Sequence, residues 1–134
     1  MTNLIASTFL YLTALESGEL KTSHGVRMEW IAPNGWGAGA QANSHPNDSV
    51  FDGSDSYVIR QWTWKRFKPG VFAGIGQNWE DERFRTTAGV RLDLVVSRRF
   101  TLELSAAGQR EYGSWKGDRE PIRAVMTIGG GWRF

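Results

Sequence analysis

Apolar and polar residues alternate along several stretches of the chain, most regularly from Phe84 to Val96. Even-numbered residues in this stretch are apolar except for one threonine, whereas the odd positions hold two arginines, a threonine, a glycine, an aspartate and, at the end, Val95. A repeat of two residues is typical of a β-strand with two different faces. The segment from Phe100 to Tyr112 has the same repeat, and only Ser97-Arg98-Arg99 separates the two segments. This arrangement predicts a tight β-hairpin.

Two further turn signals divide the first half of the chain. Pro33-Asn34-Gly35 and Lys68-Pro69-Gly70 contain the residues that favour tight turns, and each lies between two predicted strands. The pattern does not assign the faces of the strands near 4–13 and 57–79, because apolar residues occur at both parities there. The eight predicted strands lie near residues 4–13, 26–32, 36–42, 57–67, 71–79, 84–96, 100–112 and 122–134.

The connections between these strands alternate between short turns and longer polar segments. The longer segments are 16–19, 43–56, 78–83 and 113–121. In a meander, alternate connections lie at opposite ends, so one end carries turns and the other carries loops. We therefore predict an all-β fold, an eight-stranded antiparallel up-and-down barrel formed by residues 1–134 as a single domain. Short turns at one end and longer loops at the other are typical of transmembrane barrels of the outer membrane.

Composition narrows the class of protein further. The 134 residues leave room for one domain, and 16 Lys and Arg against 14 Asp and Glu give a net charge of +2 without a long basic block. A nucleic-acid partner is therefore not indicated. The absence of cysteine excludes disulfides, zinc-thiolate sites and thiol catalysis. No run of 18 apolar residues is present, which excludes a transmembrane helix, whereas the mean hydropathy of −0.40 is compatible with a barrel.

The strands of a soluble lipocalin-like barrel that binds an apolar ligand inside would also alternate apolar and polar residues. Other features therefore have to distinguish a soluble barrel from a membrane barrel. Aromatic residues lie near the strand ends on the apolar face, as in the aromatic girdles of membrane barrels. The distance from Phe100 to Tyr112 along a tilted strand corresponds to about 30 Å of height. The predicted membrane-interface aromatics are Trp30, Trp36, Phe84, Phe100, Tyr112, Trp132 and Phe134.

The polar face mixes charged residues with glycine, which favours charges inside the barrel. Glycine weakens a strand that faces solvent, but in a narrow lumen it leaves space for an arginine from across the barrel. Buried charges need partners, so we expect a polar network that closes the lumen instead of leaving a pore. The predicted lumen residues are Arg27, Glu29, Arg91, Asp93, Glu103 and Arg123.

The segment from Ile122 to Phe134 alternates apolar residues and ends in phenylalanine. It resembles the β-signal of outer-membrane proteins, and with the strand number and loop asymmetry it makes the chain similar to small barrels of the OmpA and OmpX type. The resemblance implies a location in the bacterial outer membrane, contact with the bilayer and lipopolysaccharide, and recognition of the last strand by the barrel-insertion machinery. It implies no cofactor. Residues 1–9 lack the features of a signal peptide, which we expect to have been removed.

Two histidines are the weak candidates for catalysis, His24 and His45. Small outer-membrane enzymes that edit the acyl chains of lipid A use a histidine as general base near the loop-bearing rim. His24 has Ser17 with Glu16, or Ser7, as possible partners for an acyl hydrolase. We favour an interfacial role for His24, because the motifs of those enzymes are absent. An acyltransferase would use His45, Asp48 and Ser49.

The segment around His45 also contains Asp48, Asp52 and Asp55, whose oxygens suit a divalent cation. Their spacing is not that of an EF-hand, and we favour a solvated loop without a metal. The cluster from Trp62 to Lys68 suits base stacking with phosphate contacts, but it fits an interfacial belt better. We therefore predict a non-enzymatic outer-membrane barrel with a structural role or a role in surface contact or adhesion. A lipid A hydrolase or acyltransferase and a soluble ligand-binding barrel are the alternatives.

Overall fold

The computed structural model describes residues 3–15, 18, 20–44, 53–78, 83–113, 118–119 and 122–133. These residues contain no helix, and therefore no helix long and apolar enough to cross a membrane. They form nine strands: β1 (Asn3–Leu15), β2 (Leu20–Ile31), β3 (Trp36–Ser44), β4 (Gly53–Gln61), β5 (Phe67–Asn78), β6 (Arg83–Val95), β7 (Phe100–Gly113), β8 (Asp118–Arg119) and β9 (Arg123–Arg133).

The strands form one closed antiparallel sheet. Each strand from β1 to β7 pairs with the next, β7 pairs with β9, and β9 pairs with β1. The two-residue β8 lies beside the end of β7, so the wall of the barrel has eight long strands. Closure leaves no long strand with an unpaired edge. The predicted eight-stranded up-and-down barrel is confirmed.

Two of the three predicted turns are confirmed. In the turn between β2 and β3, Gly35 has a φ of 91° and its N–H donates to the carbonyl of Ala32 at 2.9 Å. In the turn between β6 and β7, the amide of Phe100 donates to the Ser97 hydroxyl at 3.2 Å. We call the end of the barrel that carries the connections 32–35, 62–66 and 96–99 the turn end, and the opposite end the loop end.

The third turn was predicted wrongly at Lys68-Pro69-Gly70. The chain reverses at Lys65 and Arg66, where Trp64 and Phe67 exchange two backbone hydrogen bonds of 2.8 and 2.9 Å. Pro69 lies inside β5, where its carbonyl accepts from the amide of Trp62 at 2.8 Å. The sequence misled because Lys65 has a φ of 57°, a conformation that non-glycine residues seldom adopt.

Strand boundaries also differ from the prediction in the first half of the chain. The strand expected near 57–67 begins at Gly53 and ends at Gln61, and the strand before it extends to Ser44. The connection expected over 43–56 is correspondingly shorter. Serine and aspartate at positions 54–56 were assigned to a loop from composition, yet cross-strand pairing places them in β4 opposite residues 75–77 of β5.

The apolar face of the wall points outward. Large apolar side chains such as Leu10, Met28, Ile75 and Met126 are more than half exposed, whereas charged and polar side chains are buried inside. In the eight long strands, only Arg60 and Arg110 carry a charge at outward positions of the alternation. The two ambiguous regions follow the same rule, because odd-numbered residues face inward in β1 and β4 while even-numbered residues do so in β5.

Candidate functional site

Five of the six residues predicted for the lumen lie at the middle of the barrel. Arg27 and Glu29 belong to β2, Arg91 and Asp93 to β6, and Glu103 to β7. In the closed order, β2 and β6 are four strands apart in either direction, so they form opposite walls. Arg123 lies in β9, and its side chain is outside the described set.

Arg91 connects the two opposite walls. Its Nη1 and Nη2 donate to the Glu29 carboxylate at 2.9 and 2.8 Å, which is the bidentate arrangement that suits a guanidinium. Nη2 also donates to Asp93 at 3.1 Å, and Nε lies 3.2 Å from the carboxylate of Glu103. Arg91 is 5% exposed, so one buried arginine joins three carboxylates, of which Glu29 belongs to the opposite wall.

Arg27 forms the second half of this arrangement. Its guanidinium contacts both carboxylate oxygens of Glu103, at 2.9 and 3.2 Å. It donates to the hydroxyl of Tyr11 at 2.6 Å and to the side-chain oxygen of Gln41 at 3.0 Å. Its centre lies 4.1 Å from the ring centroid of Phe9, a cation–π distance. We call Arg27, Glu29, Arg91, Asp93 and Glu103 the central network.

Aromatic side chains surround the central network, and glycines make room for them. The hydroxyl of Tyr57 donates to Glu29. In the sheet, Tyr57 lies opposite Gly39 of β3 on one side and opposite Gly74 of β5 on the other. A Cβ on Gly39 would overlap the ring of Tyr57. Phe9 similarly lies between Gly25 and Gly131. Gly39, Gly129 and Gly131 therefore accommodate rings from adjacent strands, whereas Gly76 lies against Asp55 and Arg85. At these four positions the neighbours belong to adjacent strands, and the expected arginine from across the lumen is not among them.

A second charged pair lies nearer the loop end. Arg85 of β6 donates from Nε and Nη2 to the carboxylate of Asp55 at 3.0 and 2.9 Å, and Asn43 donates to the same carboxylate at 2.9 Å. The side-chain NH₂ of Gln41 donates to the side-chain oxygen of Asn43 at 2.5 Å, and the side-chain oxygen of Gln41 accepts from Arg27. Hydrogen bonds therefore join the pair of Arg85 and Asp55 to the central network. The Arg85 and Asp55 side chains are 16% and 27% exposed.

A cavity of about 440 Å³ lies between the central network and the turn end. Glu29, Asp93 and Gln61 line its inner part, and Lys68 and Arg133 are among the residues around it. Gln61 donates to Asp93 at 2.9 Å, so the inner boundary of the cavity is tied into the central network. The cavity therefore stops at the charged layer.

The predicted interface aromatics divide between the described and undescribed parts of the chain. Trp30, Trp36 and Trp132 are exposed on the outer surface near the turn end, and Phe84 is exposed near the loop end. Phe100 is half-buried. The side chain of Tyr112 and the whole of Phe134 lie outside the described residues.

The catalytic candidates do not assemble into a site among the described residues. His24 faces outward and is exposed, whereas Ser7 is buried in the lumen, so the proposed pair of Ser7 and His24 is wrong. Asp55 forms an ion pair with Arg85. In the described part of the chain, no group of three potential metal ligands occurs. The remaining candidates, Glu16, Ser17, His45, Asp48, Ser49 and Asp52, lie outside that part.

Sequence reasoning missed four residues that complete the hydrogen bonding of the lumen: Tyr11, Gln41, Tyr57 and Gln61. Tyr11 and Tyr57 lie on strands whose faces the apolar pattern left open. Gly39 lies on the opposite face of its strand from Trp36 and Ala38 in the alternation, and the register of β3 with β4 pairs it with Tyr57. Only knowledge of this strand pairing would have pointed to Tyr57. The two glutamines are uncharged, so a search for charge partners did not select them.

Comparison with known proteins gives likeness in structure only. No protein-family model matches the chain, and no curated protein matches it in sequence. The N-terminal β-barrel domain of Pseudomonas aeruginosa OprF superposes with a TM-score of 0.62 at 12% identity, covering 100% of both chains. Neisserial surface protein A gives a TM-score of 0.55 at 11% identity, covering 100% of this chain and 99% of that one.

A phycobiliprotein lyase from Guillardia theta also matches, with a TM-score of 0.51 at 9% identity over 96% of this chain and 86% of that one. In fold, the chain resembles small eight-stranded outer-membrane barrels. The presence of a lyase among the similar structures means that the fold alone does not assign a function. A functional assignment therefore has to rest on which side chains line the inner and outer faces of the barrel wall.

Proposed function

We propose that this protein is an integral barrel of the bacterial outer membrane, with a closed lumen and a non-enzymatic role in envelope structure or surface contact through its loops. The single observation that carries the proposal is the inverted distribution of polarity, with charges inside and apolar side chains outside. The structural likeness to outer-membrane barrels supports the same assignment.

The outer face of the wall suits lipid and not water. Leu10, Met28, Val90 and Leu104 belong to a continuous apolar surface of the long strands, far larger than the patches that monomeric soluble proteins expose. A soluble barrel with an interior ligand would place these side chains inside. In this chain the interior holds arginines and carboxylates, and only Phe9, Tyr11 and Ile59 are buried large hydrophobic residues among those described.

The interior suits a closed barrel and not an open pore. The ion pair between Arg91 and Glu29 joins opposite walls, and Arg27 with Glu103 crosses the lumen beside it. Passage of an ion would require these buried pairs to separate, and separating a buried pair leaves charges without partners. We therefore propose that the central network prevents steady conduction.

The loops and the last strand supply the contacts with other molecules in this proposal. The longer polar connections lie at one end, where an outer-membrane barrel faces the cell exterior, and binding residues are often carried on such loops. Contact with lipopolysaccharide would occur at the same end. Strand β9, which closes the barrel against β1, is the segment that the insertion machinery would recognise.

Refolding with and without detergent micelles tests the membrane assignment. We expect a compact β-rich form that migrates faster on a gel before heating than after it, and only when micelles are present. A monomer that folds in plain buffer would refute the assignment. Current measurements across a planar bilayer then test the closed lumen: we expect no steady ion current, whereas a constant open conductance would show that the central network does not close the barrel.

A further inference from the structure

Cations and exposed aromatic residues are concentrated at the turn end. Lys65 and Arg66 in one turn and Arg98 and Arg99 in another are exposed, and the three turns contain no acidic residue. Among the described residues, the aspartate and glutamate side chains toward this end are those of the central network, which already contact Arg27 and Arg91. We call the following residues the collar: Arg60, Lys65, Arg66, Arg98, Arg99, Trp36, Trp62, Trp64 and Trp132.

The two ends of the barrel therefore differ in charge. The sequence has seven basic residues at the turn end, the five of the collar together with Lys68 and Arg133, and no aspartate or glutamate outside the central network there. Eleven of the 14 acidic residues belong to the loop-end segments 16–19, 48–55, 80–82 and 111–120, against seven basic residues at that end. A net positive end and a net negative end set up a field along the barrel axis.

Arg60 shows where this positive charge meets the outer surface. It occupies an outward position of β4, and its guanidinium lies 5.8 Å from the ring of Trp36 and 5.3 Å from the ring of Trp62. The half-buried side chain also borders the cavity at the turn end. Val58, the next outward residue toward the middle of the barrel, is exposed and apolar. No ion pair between described residues includes Arg60. A guanidinium at this boundary lies where lipid headgroups meet the apolar layer, and it suits a phosphate as a bidentate partner.

We propose that the collar binds the headgroups of anionic phospholipids in the leaflet that surrounds the turn end, with Arg60 between Trp36 and Trp62 as a phosphate-binding point. This inference rests on the proposed membrane location. The exposed lysine and arginines of the turns attract negatively charged headgroups, and the tryptophans hold the collar at the interface. The more acidic loop end does not attract negatively charged headgroups in this way, so anionic lipid is recognised on one side of the bilayer.

The tryptophans themselves report which lipids contact the collar. Five of the seven in the sequence lie near the turn end, and replacing Trp79 and Trp115 with phenylalanine removes the two in loop-end segments. In bilayers of phosphatidylcholine with a minor fraction of phosphatidylglycerol, either lipid can carry bromine, which quenches tryptophan on contact. We expect brominated phosphatidylglycerol to quench at least about threefold more than its bulk fraction predicts, and high salt to remove the excess.

Variants of the collar decide whether the charges cause this enrichment. The combined change Lys65→Gln, Arg66→Gln, Arg98→Gln and Arg99→Gln is expected to abolish most of the excess quenching, and Arg60→Gln to reduce it in part. Arg110→Gln is the matched control, because Arg110 is the other charged residue at an outward position and lies toward the loop end. It should leave the excess unchanged.

The outcomes separate this inference from the proposed function. Equal quenching by the two brominated lipids in the parent protein, or an equal loss with Arg110→Gln, would overturn the collar as a binding surface while leaving the membrane barrel intact. Each variant is compared only after it shows the heat-modifiable folded form in the same bilayers. Failure of the parent protein to fold in any bilayer would instead refute the membrane assignment.

Discussion

The central network and the pair of Arg85 with Asp55 use the same chemistry in two different environments. In the centre, the Arg91 and Glu103 side chains are 5% and 3% exposed, and each contacts more than one charged partner. Nearer the loop end, the Arg85 and Asp55 side chains are 16% and 27% exposed. The first group is enclosed by rings and strands, whereas the second is partly open to water.

This difference determines what each group contributes to the protein. Water screens a partly exposed ion pair, so its contribution to stability is small. Water does not reach a buried arginine, whose charge is therefore compensated only by its carboxylate partners. Removal of one charged residue of the central network leaves the remaining charges uncompensated. The central network should therefore specify how the opposite walls meet, and the pair at the loop end should add little to stability.

The largest expected effect is that of Arg91→Met. The change leaves Glu29, Asp93 and Glu103 facing one another with only Arg27 as a buried partner. We expect the free energy of unfolding to fall by about 3–5 kcal/mol, as for other broken buried ion pairs. Urea unfolding in vesicles, followed by tryptophan emission, measures the loss. A loss below about 1 kcal/mol would place the central network in the same class as a surface pair.

Glu103→Gln should have the second largest effect. The side chain keeps its shape, but its two contacts with Arg27 lose the charge that strengthens them. We expect a loss of about 1.5–3 kcal/mol, the range for hydrogen bonds to charged groups. The same unfolding measurement applies, and a stability equal to that of the parent protein would contradict the importance given to this carboxylate.

Gly39→Ala tests the packing around the central network. The new methyl group would meet the ring of Tyr57, which would have to move away from Glu29. Overpacking of this kind is expected to cost about 1–3 kcal/mol. Gly108→Ala is a suitable control, because the nearest atom to its added carbon is 3.3 Å away on the side chain of Ile122. Equal losses in the two variants would mean that the ring of Tyr57 is not confined.

Asp55→Asn should have the smallest effect. It is the loop-end counterpart of Glu103→Gln, since each change replaces a carboxylate with an amide of similar shape. Because Asp55 is partly exposed, we expect a loss of at most about 1 kcal/mol that diminishes further in high salt. A loss as large as that of Glu103→Gln would remove the distinction between the two environments.

Alternation alone was sufficient to predict the architecture where both faces differed in polarity. The strands near 84–96 and 100–112 have charges or polar groups at most inward positions, so their number, pairing and turn followed from the sequence. The strand near 4–13 was ambiguous because Phe9 and Tyr11 face inward among charges that belong to other strands. An apolar ring that packs on an arginine of the neighbouring strand has no signature within its own strand.

The remaining errors arise from information that a local pattern does not contain. The reversal at Lys65 uses a left-handed backbone without glycine, while Pro69 and Gly70 occupy an ordinary strand. The members of the central network could be chosen by parity and charge, but their partners depend on which strands lie opposite after closure. The pairing of Arg91 with Glu29 follows from the four-strand separation of β6 and β2.

The direct test of the account is which face of the wall contacts lipid. The chain has no cysteine, so single cysteines can be placed on β7 and labelled with a nitroxide. Positions 104 and 106 face outward and positions 105 and 107 face inward. In bilayers, we expect oxygen dissolved in the lipid to relax labels at 104 and 106 strongly and those at 105 and 107 weakly. The reverse order, or no alternation, would contradict a barrel with its apolar face toward the membrane.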